Sequence, residues 1–208
     1  MPKDTFFNLI DEKREKIINE ALREFEENDF ESASINQIVI RSEISKGSFY
    51  QYFEDKKDLY RYIIKLMIDE KMTYISPMLQ QPFDHGFFEV IREMNLAGLR
   101  FAKDHPNYTI IGNRLLKNTR TEIYQEFFKE NEGQAYAIYE HLLRKAIETG
   151  EVRADLDVSF TARIIFKLSA ELVESKFDLD DPNWDTKLID LLDQFMNLLK
   201  LGISNSSH

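Results

Sequence analysis

Between Ser34 and Phe53 the chain gathers a lysine, a glycine, two tyrosines, two glutamines and several serines within a few helical turns. Lys46 offers a mobile cation and Gly47 a bare backbone. Ser48, Tyr50, Gln51 and Tyr52 offer hydroxyl and amide groups that bond phosphates or base edges. Just beyond, Lys56 opens another helical segment, whose first amides favour an anion. Ser34 and Asn36 stand at the start of the segment before. These types and spacings suit recognition of a nucleic-acid duplex rather than covalent chemistry.

Catalytic alternatives find little support. With no cysteine, thiolate catalysis, disulfides and Cys-based zinc sites are excluded. His85, His105, His141 and His208 are scattered, and none follows a glutamate at the spacing of a helical di-iron site. Asp178, Asp180, Asp181 and Asp185 suggest a calcium loop, but Pro182 and Asn183 occupy positions that such a loop cannot give them. They read as a solvated acidic loop before the last helix. No glycine-rich phosphate loop occurs. The expectation is a protein that is not an enzyme and holds no metal or cofactor.

The elements that must position these groups are helices. Seven glycines and five prolines in 208 residues, with no two-residue alternation, predict an all-α chain. Ile17, Ile18, Ala21, Leu22 and Phe25 recur at helical spacing and predict a helix over Asp11 to Glu27, with Asn28 suited to a left-handed stop. Ser34 is an N-cap candidate for Ile35 to Arg41, Ser45 for Lys46 to Phe53, and Asp55 for a helix from Lys56 to Ile75 that Ser76-Pro77 should end. Longer helices are expected at Asp84 to Lys103, Asn107 to Lys117, Thr121 to Thr149, Ser159 to Phe177 and Trp184 to Leu201. The loop from Gly150 to Asp157 joins two of them. Two short helices joined by a tight turn can lay the second in a major groove while the first crosses the backbone. Ile35, Ile38 and Val39 give the first helix a buried face, Ile44 plugs the turn, and Phe49 and Phe53 anchor the second.

Charge runs against this reading at long range. The net charge is -10, and residues 1–56 carry eight basic against thirteen acidic side chains. A phosphate feels the field within roughly 8–10 Å. From Arg41 to Lys57 the balance is slightly basic, with Arg41, Lys46, Lys56 and Lys57 against Glu43, Glu54 and Asp55. The footprint is local and modest.

The run Ser34-Ile35-Asn36-Gln37-Ile38, followed by the stretch from Ile44 to Leu59 with Phe49-Tyr50-Gln51-Tyr52-Phe53 at its centre, resembles the signature of TetR-type repressors. The resemblance covers about residues 11–71. It implies a three-helix DNA-binding domain over 1–56, a larger helical ligand-binding and dimerisation domain over 57–202, and a flexible tail over 203–208. It places Ser48, Tyr50 and Lys56 at phosphate-contacting positions. Lys46, Gly47, Gln51 and Tyr52 then lie on the recognition helix, and Ser34 and Asn36 at the start of its support. Glu43 departs from the family, which commonly has a turn glycine there.

The resemblance further implies a small-molecule pocket walled by Met67, Phe87, Ile91, Asn95, Tyr124, Phe128 and Phe166. Two apolar stripes near the end, with Ile165, Leu168 and Leu172 on one helix and Leu188, Leu192, Phe195 and Leu199 on the next, are expected to pair with a second copy into a four-helix bundle. The partners so implied are a near-palindromic double-stranded operator, a second protomer and a small-molecule inducer, with no membrane. No basic-then-apolar leader opens the chain, so the expected location is cytoplasmic. The rival reading is a helical small-molecule-binding protein with a vestigial helix-turn-helix.

Overall fold

The computed structural model describes residues 1–80, 86–118, 120–176 and 183–205, with residues 80, 128–132, 173–176 and 184 described at the backbone only. Ten helices run in order through them: α1 (Asp4–Phe7), α2 (Asp11–Glu27), α3 (Ile35–Arg41), α4 (Lys46–Tyr52), α5 (Lys56–Gln80), α6 (Phe87–Asp104), α7 (Pro106–Lys117), α8 (Glu122–Glu148), α9 (Val158–Lys176) and α10 (Trp184–Ile203). The all-α expectation holds. The acidic loop after α9 lies outside the described residues.

The chain forms two compact units that are not the sequential segments 1–56 and 57–202. One contains Met1–Lys71 and Asp104–Phe127; the other contains Met72–Lys103 and Phe128–His208. The division differs because α7, far along the sequence, packs on α2. Proline at its first position suits that helix start, where an N–H is dispensable. Ile111 and Leu115 of α7 join Ile17, Phe25, Ile38, Phe49, Phe53, Leu59 and Ile63 in one core.

Within the first unit, α2 forms as its pattern predicts. Asp11 and Glu12 sit at its positive end, and Ile17, Ala21, Leu22 and Phe25 turn inward. Asn28 is not left-handed; its backbone is extended, and its amide reaches back to Glu24 instead. A short helix, α1, went unforeseen. Its Phe6 is fully buried against Phe53, Tyr62 and Tyr52, an aromatic cluster with ring centroids 4.8, 5.5 and 6.2 Å away. Burying such a side chain is worth about 1.5–3 kcal/mol.

The second unit has its own core of Phe87, Ile91, Leu143, Ala162, Ile165 and Leu192. Helix α5 runs on through Pro77 to Gln80, past the expected stop. Proline removes one N–H bond, yet Ile75, Met78 and Leu79 pack on this core and carry the helix across it. Glu151, in the loop after α8, takes the N–H of Phe87 at 2.6 Å and so caps α6. Gly86 takes a left-handed backbone at φ 78°, which glycine adopts without strain, and a Cβ there would also come within 2.9 Å of that carboxylate. The tail expected to be flexible is partly held. Ile203 still belongs to α10 and accepts from Arg153, Ser204 bridges Val152, and Asn205 donates to Glu151; residues 206–208 lie outside the described residues.

Candidate nucleic-acid interface

Helices α3 and α4 are each seven residues long and stand on one aromatic and aliphatic base. Ile38 and Val39 are buried from α3, and Phe49 and Tyr52 from α4. Ile44 packs on the same core from the turn, its N–H bonded to the Val39 carbonyl at 3.0 Å. Ser45 caps α4 as expected, accepting from the Ser48 N–H at 2.9 Å, and its hydroxyl also meets that of Ser48 at 2.8 Å. The Ser48 hydroxyl is therefore oriented by its neighbour.

With Phe49, Tyr52 and Phe53 turned inward, the outer face of α4 carries Lys46, Gly47, Tyr50 and Gln51, all exposed. Tyr50 stands on edge against Phe49 with ring centroids 5.3 Å apart, which fixes where its phenol projects. Gly47 has no internal reason to be glycine. A Cβ there would meet only the Ser45 Oγ, at an ordinary 3.6 Å. Asn36 and Gln37 are exposed on the first turn of α3.

Three expected members do not present themselves in the way foreseen. Tyr52 is only 7% exposed and belongs to the core, because residues 49, 52 and 53 share the inward side of this short helix. Lys56 is committed inside the chain. Its ammonium donates to the carbonyls of Ala33 at 2.8 Å and Glu31 at 3.0 Å and lies 4.9 Å from the Phe30 ring centre. It fastens the loop before α3 rather than offering a cation outward. Ser34 holds the N-cap position of α3, yet its side chain makes no capping bond. Its own N–H donates instead to Glu24 at 2.8 Å.

Glu24, which the sequence does not mark as part of the site, is the buried carboxylate that ties the start of α3 to α2. It is 2% exposed, accepts also from Asn28, and stands 3.4 Å from Arg41, which bonds Glu27 at 2.9 Å. The signal for its burial was present: Glu24 falls on the stripe of Ile17 and Ala21, seven and three residues back. Bonds from Arg23 and then Arg41 hold the Glu27 carboxyl below the usual range. On the far side, Lys57 bonds Glu126 at 2.8 Å, which raises its own pKa. Of the four cations between Arg41 and Lys57, three are thus engaged within the chain. Among the described residues, Lys46 has no ion pair.

The turn between α3 and α4 carries Glu43 in the left-handed region, at φ 55°, the single non-glycine there among the described residues. A side chain in this region carries a backbone cost that the family's usual glycine would not. Lys16 of α2 meets its carboxylate at 2.8 Å, and that bond and charge lower the Glu43 pKa.

The residues expected to wall a pocket are divided between the two units. Met67 and Tyr124 belong to the first unit, half-buried; Phe87, Ile91, Asn95 and Phe166 belong to the second. The side chain of Phe128 lies outside the described residues. Asn95 has the partner a buried amide needs, donating to the Ile91 carbonyl at 2.8 Å and to Ser169 at 3.3 Å. A crevice in the first unit, with Phe30, Tyr60, Arg114 and Asn118 in its wall, contains none of the seven.

Of the residues expected to pair two copies, Ile165, Leu192, Phe195 and Leu199 are buried in the chain's own second core, and Leu188 is buried as well. That is a correction, since an apolar stripe wider than one contact must give its central residues to the nearer neighbour. Leu172 is half-buried and Leu168 exposed. The large apolar side chains left exposed on these helices are Phe160, Ile164 and Leu168 along one face of α9, and Ile189, Leu198 and Leu201 at separate points around α10.

A short capped helix with a polar outer face, braced across a tight turn by a second, is the head of a helix-turn-helix DNA-binding regulator. Residues 17–63 match the family described as bacterial regulatory proteins, tetR family. The chain is 25% identical over 193 residues to the fatty acid metabolism regulator protein of Bacillus subtilis (strain 168), across 91% of this chain and 95% of that one. It is 29% identical to the crystal structure of a TetR family transcriptional regulator from Chloroflexus aurantiacus J-10-FL, with a TM-score of 0.71 over 98% of this chain and 99% of that one. The fold is also that of the transcriptional regulator FadR from Bacillus subtilis in complex with stearoyl-CoA, at 21% identity, a TM-score of 0.74, and 91% and 98% coverage. Residues 17–63 thus match the tetR family, and over most of its length the chain is similar to transcriptional regulators of that family.

Proposed function

We propose that this protein is a homodimeric repressor that binds a near-palindromic operator and leaves it when a small molecule binds. The observation that carries the reading is the outer face of α4. Lys46, Gly47, Tyr50 and Gln51 project from a helix whose other side is fixed by fully buried Phe49 and Phe53. Rigid support of this kind lets a few polar groups discriminate bases, each good bidentate contact being worth about 1–3 kcal/mol. Lys46 and Tyr50 are assigned to phosphates and Gln51 to a base edge, with Ser48, Asn36 and Ser34 beside them. Such a regulator acts in the cytoplasm and performs no covalent chemistry.

Two copies pair through the exposed stripe of Phe160, Ile164 and Leu168, four residues apart on α9. Pairing sets the two recognition helices about 34–36 Å apart, one turn of DNA. Release follows if the inducer binds a form with another separation, by the ratio of its affinities for the two forms. Fatty acyl derivatives are the first inducers to test, since a relative is named for fatty acid metabolism and a protein of the same fold holds stearoyl-CoA.

The test is a mobility-shift titration with the DNA upstream of the protein's own gene against a random duplex, over a series of salt concentrations, with and without stearoyl-CoA. A salt-dependent preference for the upstream DNA supports the reading. Equal affinity for both duplexes overturns it, and a preference that stearoyl-CoA leaves unchanged removes that inducer alone.

A further inference from the structure

The last turn of a helix leaves four carbonyls without intrahelical partners. In α4 these belong to Phe49, Tyr50, Gln51 and Tyr52. The Phe49 carbonyl takes the Phe53 N–H at 2.8 Å. The other three are all met by one segment from the beginning of the sequence. The Lys3 N–H donates to the Tyr52 carbonyl at 2.9 Å, the Lys3 ammonium to the Tyr50 carbonyl at 2.9 Å, and the Thr5 hydroxyl to the Gln51 carbonyl. One residue further on, the fully buried Phe6 locks this strap into the cluster of Phe53 and Tyr62. The end of the recognition helix is therefore built jointly by α4 and residues 3–6.

The charge at this end matters as well. Arg41, Lys56 and Lys57 are engaged within the chain, which leaves Lys46 at the start of α4. Lys3 is exposed, and its ammonium is held beside the backbone of Tyr50, itself 44% exposed on the outer face. An ammonium has three donors, and one of them reaches Tyr50.

We propose that Lys3 is a DNA-phosphate contact at the C-terminal end of the recognition helix, positioned by the bonds of Thr5 and the burial of Phe6. The proposal rests on the DNA-binding reading above. It makes α4 a helix with a cation at each end, Lys46 and Lys3, of which only the first is visible from the local motif. It also accounts for how an acidic chain holds an anionic duplex, through two placed cations per protomer and not through a diffuse field.

Full-length protein is titrated with the upstream duplex and with a random duplex of equal length at several salt concentrations. Each phosphate contact contributes about 0.9 to the slope of log affinity against log salt. Lys3→Met should lower that slope by about 0.9 per protomer engaged, on both duplexes, with only a small fall in Tm from the lost Tyr50 bond, and Lys3→Arg should restore the slope. Thr5→Val, which loosens the helix end without changing charge, should weaken binding to the upstream duplex and leave the slope alone. A Lys3→Met protein that binds with the wild-type slope overturns the proposal while leaving the DNA-binding reading intact. A wild-type protein that binds neither duplex overturns both.

Discussion

Lys16 on α2 holds Glu43 across the helix-turn-helix by an ion pair of 2.8 Å, and Glu43 makes it from a left-handed backbone at φ 55°. A side chain is thus kept where glycine would sit without strain, and it leaves a carboxylate at the turn between the two helices that face DNA. The pair is exposed, so its own contribution is screened and small. Replacing Glu43 by glycine should relieve the backbone and free Lys16 at once. We expect Glu43→Gly to raise Tm by about 2–4 °C and to tighten DNA binding at low salt. A lowered melting temperature would show that the Lys16 pair outweighs the strain.

Gly47 separates stability from function. Alanine is the better helix former by roughly 1 kcal/mol, and the space for its methyl is open at 3.6 Å from Ser45. Gly47→Ala should therefore melt no lower than the wild type, and slightly higher if anything. DNA affinity should fall about ten-fold or more, because the methyl stands where a backbone is meant to approach a groove. Full affinity in this variant would remove Gly47 from the interface.

Lys46 and Lys56 should fail in different ways. Lys46→Met keeps the fold and lowers the salt slope by about 0.9 per protomer. Lys56→Met loses two carbonyl bonds and a ring contact that fasten residues 31–33, so it should lower Tm and leave the slope near the wild-type value. Equal slopes for the two variants would return Lys56 to the phosphate-contacting group.

Tyr60, Tyr62, Tyr108 and Tyr139 have their phenol pKa values pushed up by burial. A raised folded value means that their stabilisation is complete below the unfolded value of 10.0 and is lost as pH rises through the folded values. Helical signal should hold up to about pH 10 and fall above it, with part of the tyrosinate absorbance appearing only together with that loss. Complete tyrosine ionisation with the helices intact would contradict the burial.

Much of the fold was legible because helical contacts repeat locally. The stripe from Ile17 to Phe25, the Ser45 cap and the Phe49–Phe53 anchor follow from spacing alone. The candidate site was legible at Lys46, Gly47, Tyr50 and Gln51, whose outward direction is set by that anchor. Tyr52 escaped because its polar tip suggested surface, while its place three residues after Phe49 put its ring inside. Lys56 escaped because the carbonyls it binds lie more than twenty residues back, in a loop with no periodicity to read. Ile165 and Leu188 were assigned outward because a wide apolar stripe does not declare which edge faces its own chain. The strap of Lys3 and Thr5 gave no signal at all, since four residues of helix are too short for a pattern.

The packing of α7 on α2 means that the DNA-reading head is not a bead on a string. Arg114 on α7 donates to the Phe25 carbonyl at 3.1 Å, and Ile111, Leu115 and Ile123 complete the core beneath the recognition helix. A gene fragment ending at residue 71 would therefore encode only part of the head, with an oily seam open to water where that later stretch belongs. Grafted onto another regulator, the front of this gene alone would have to find a matching seam in its host, whereas residues 104–127 carry the native one with them.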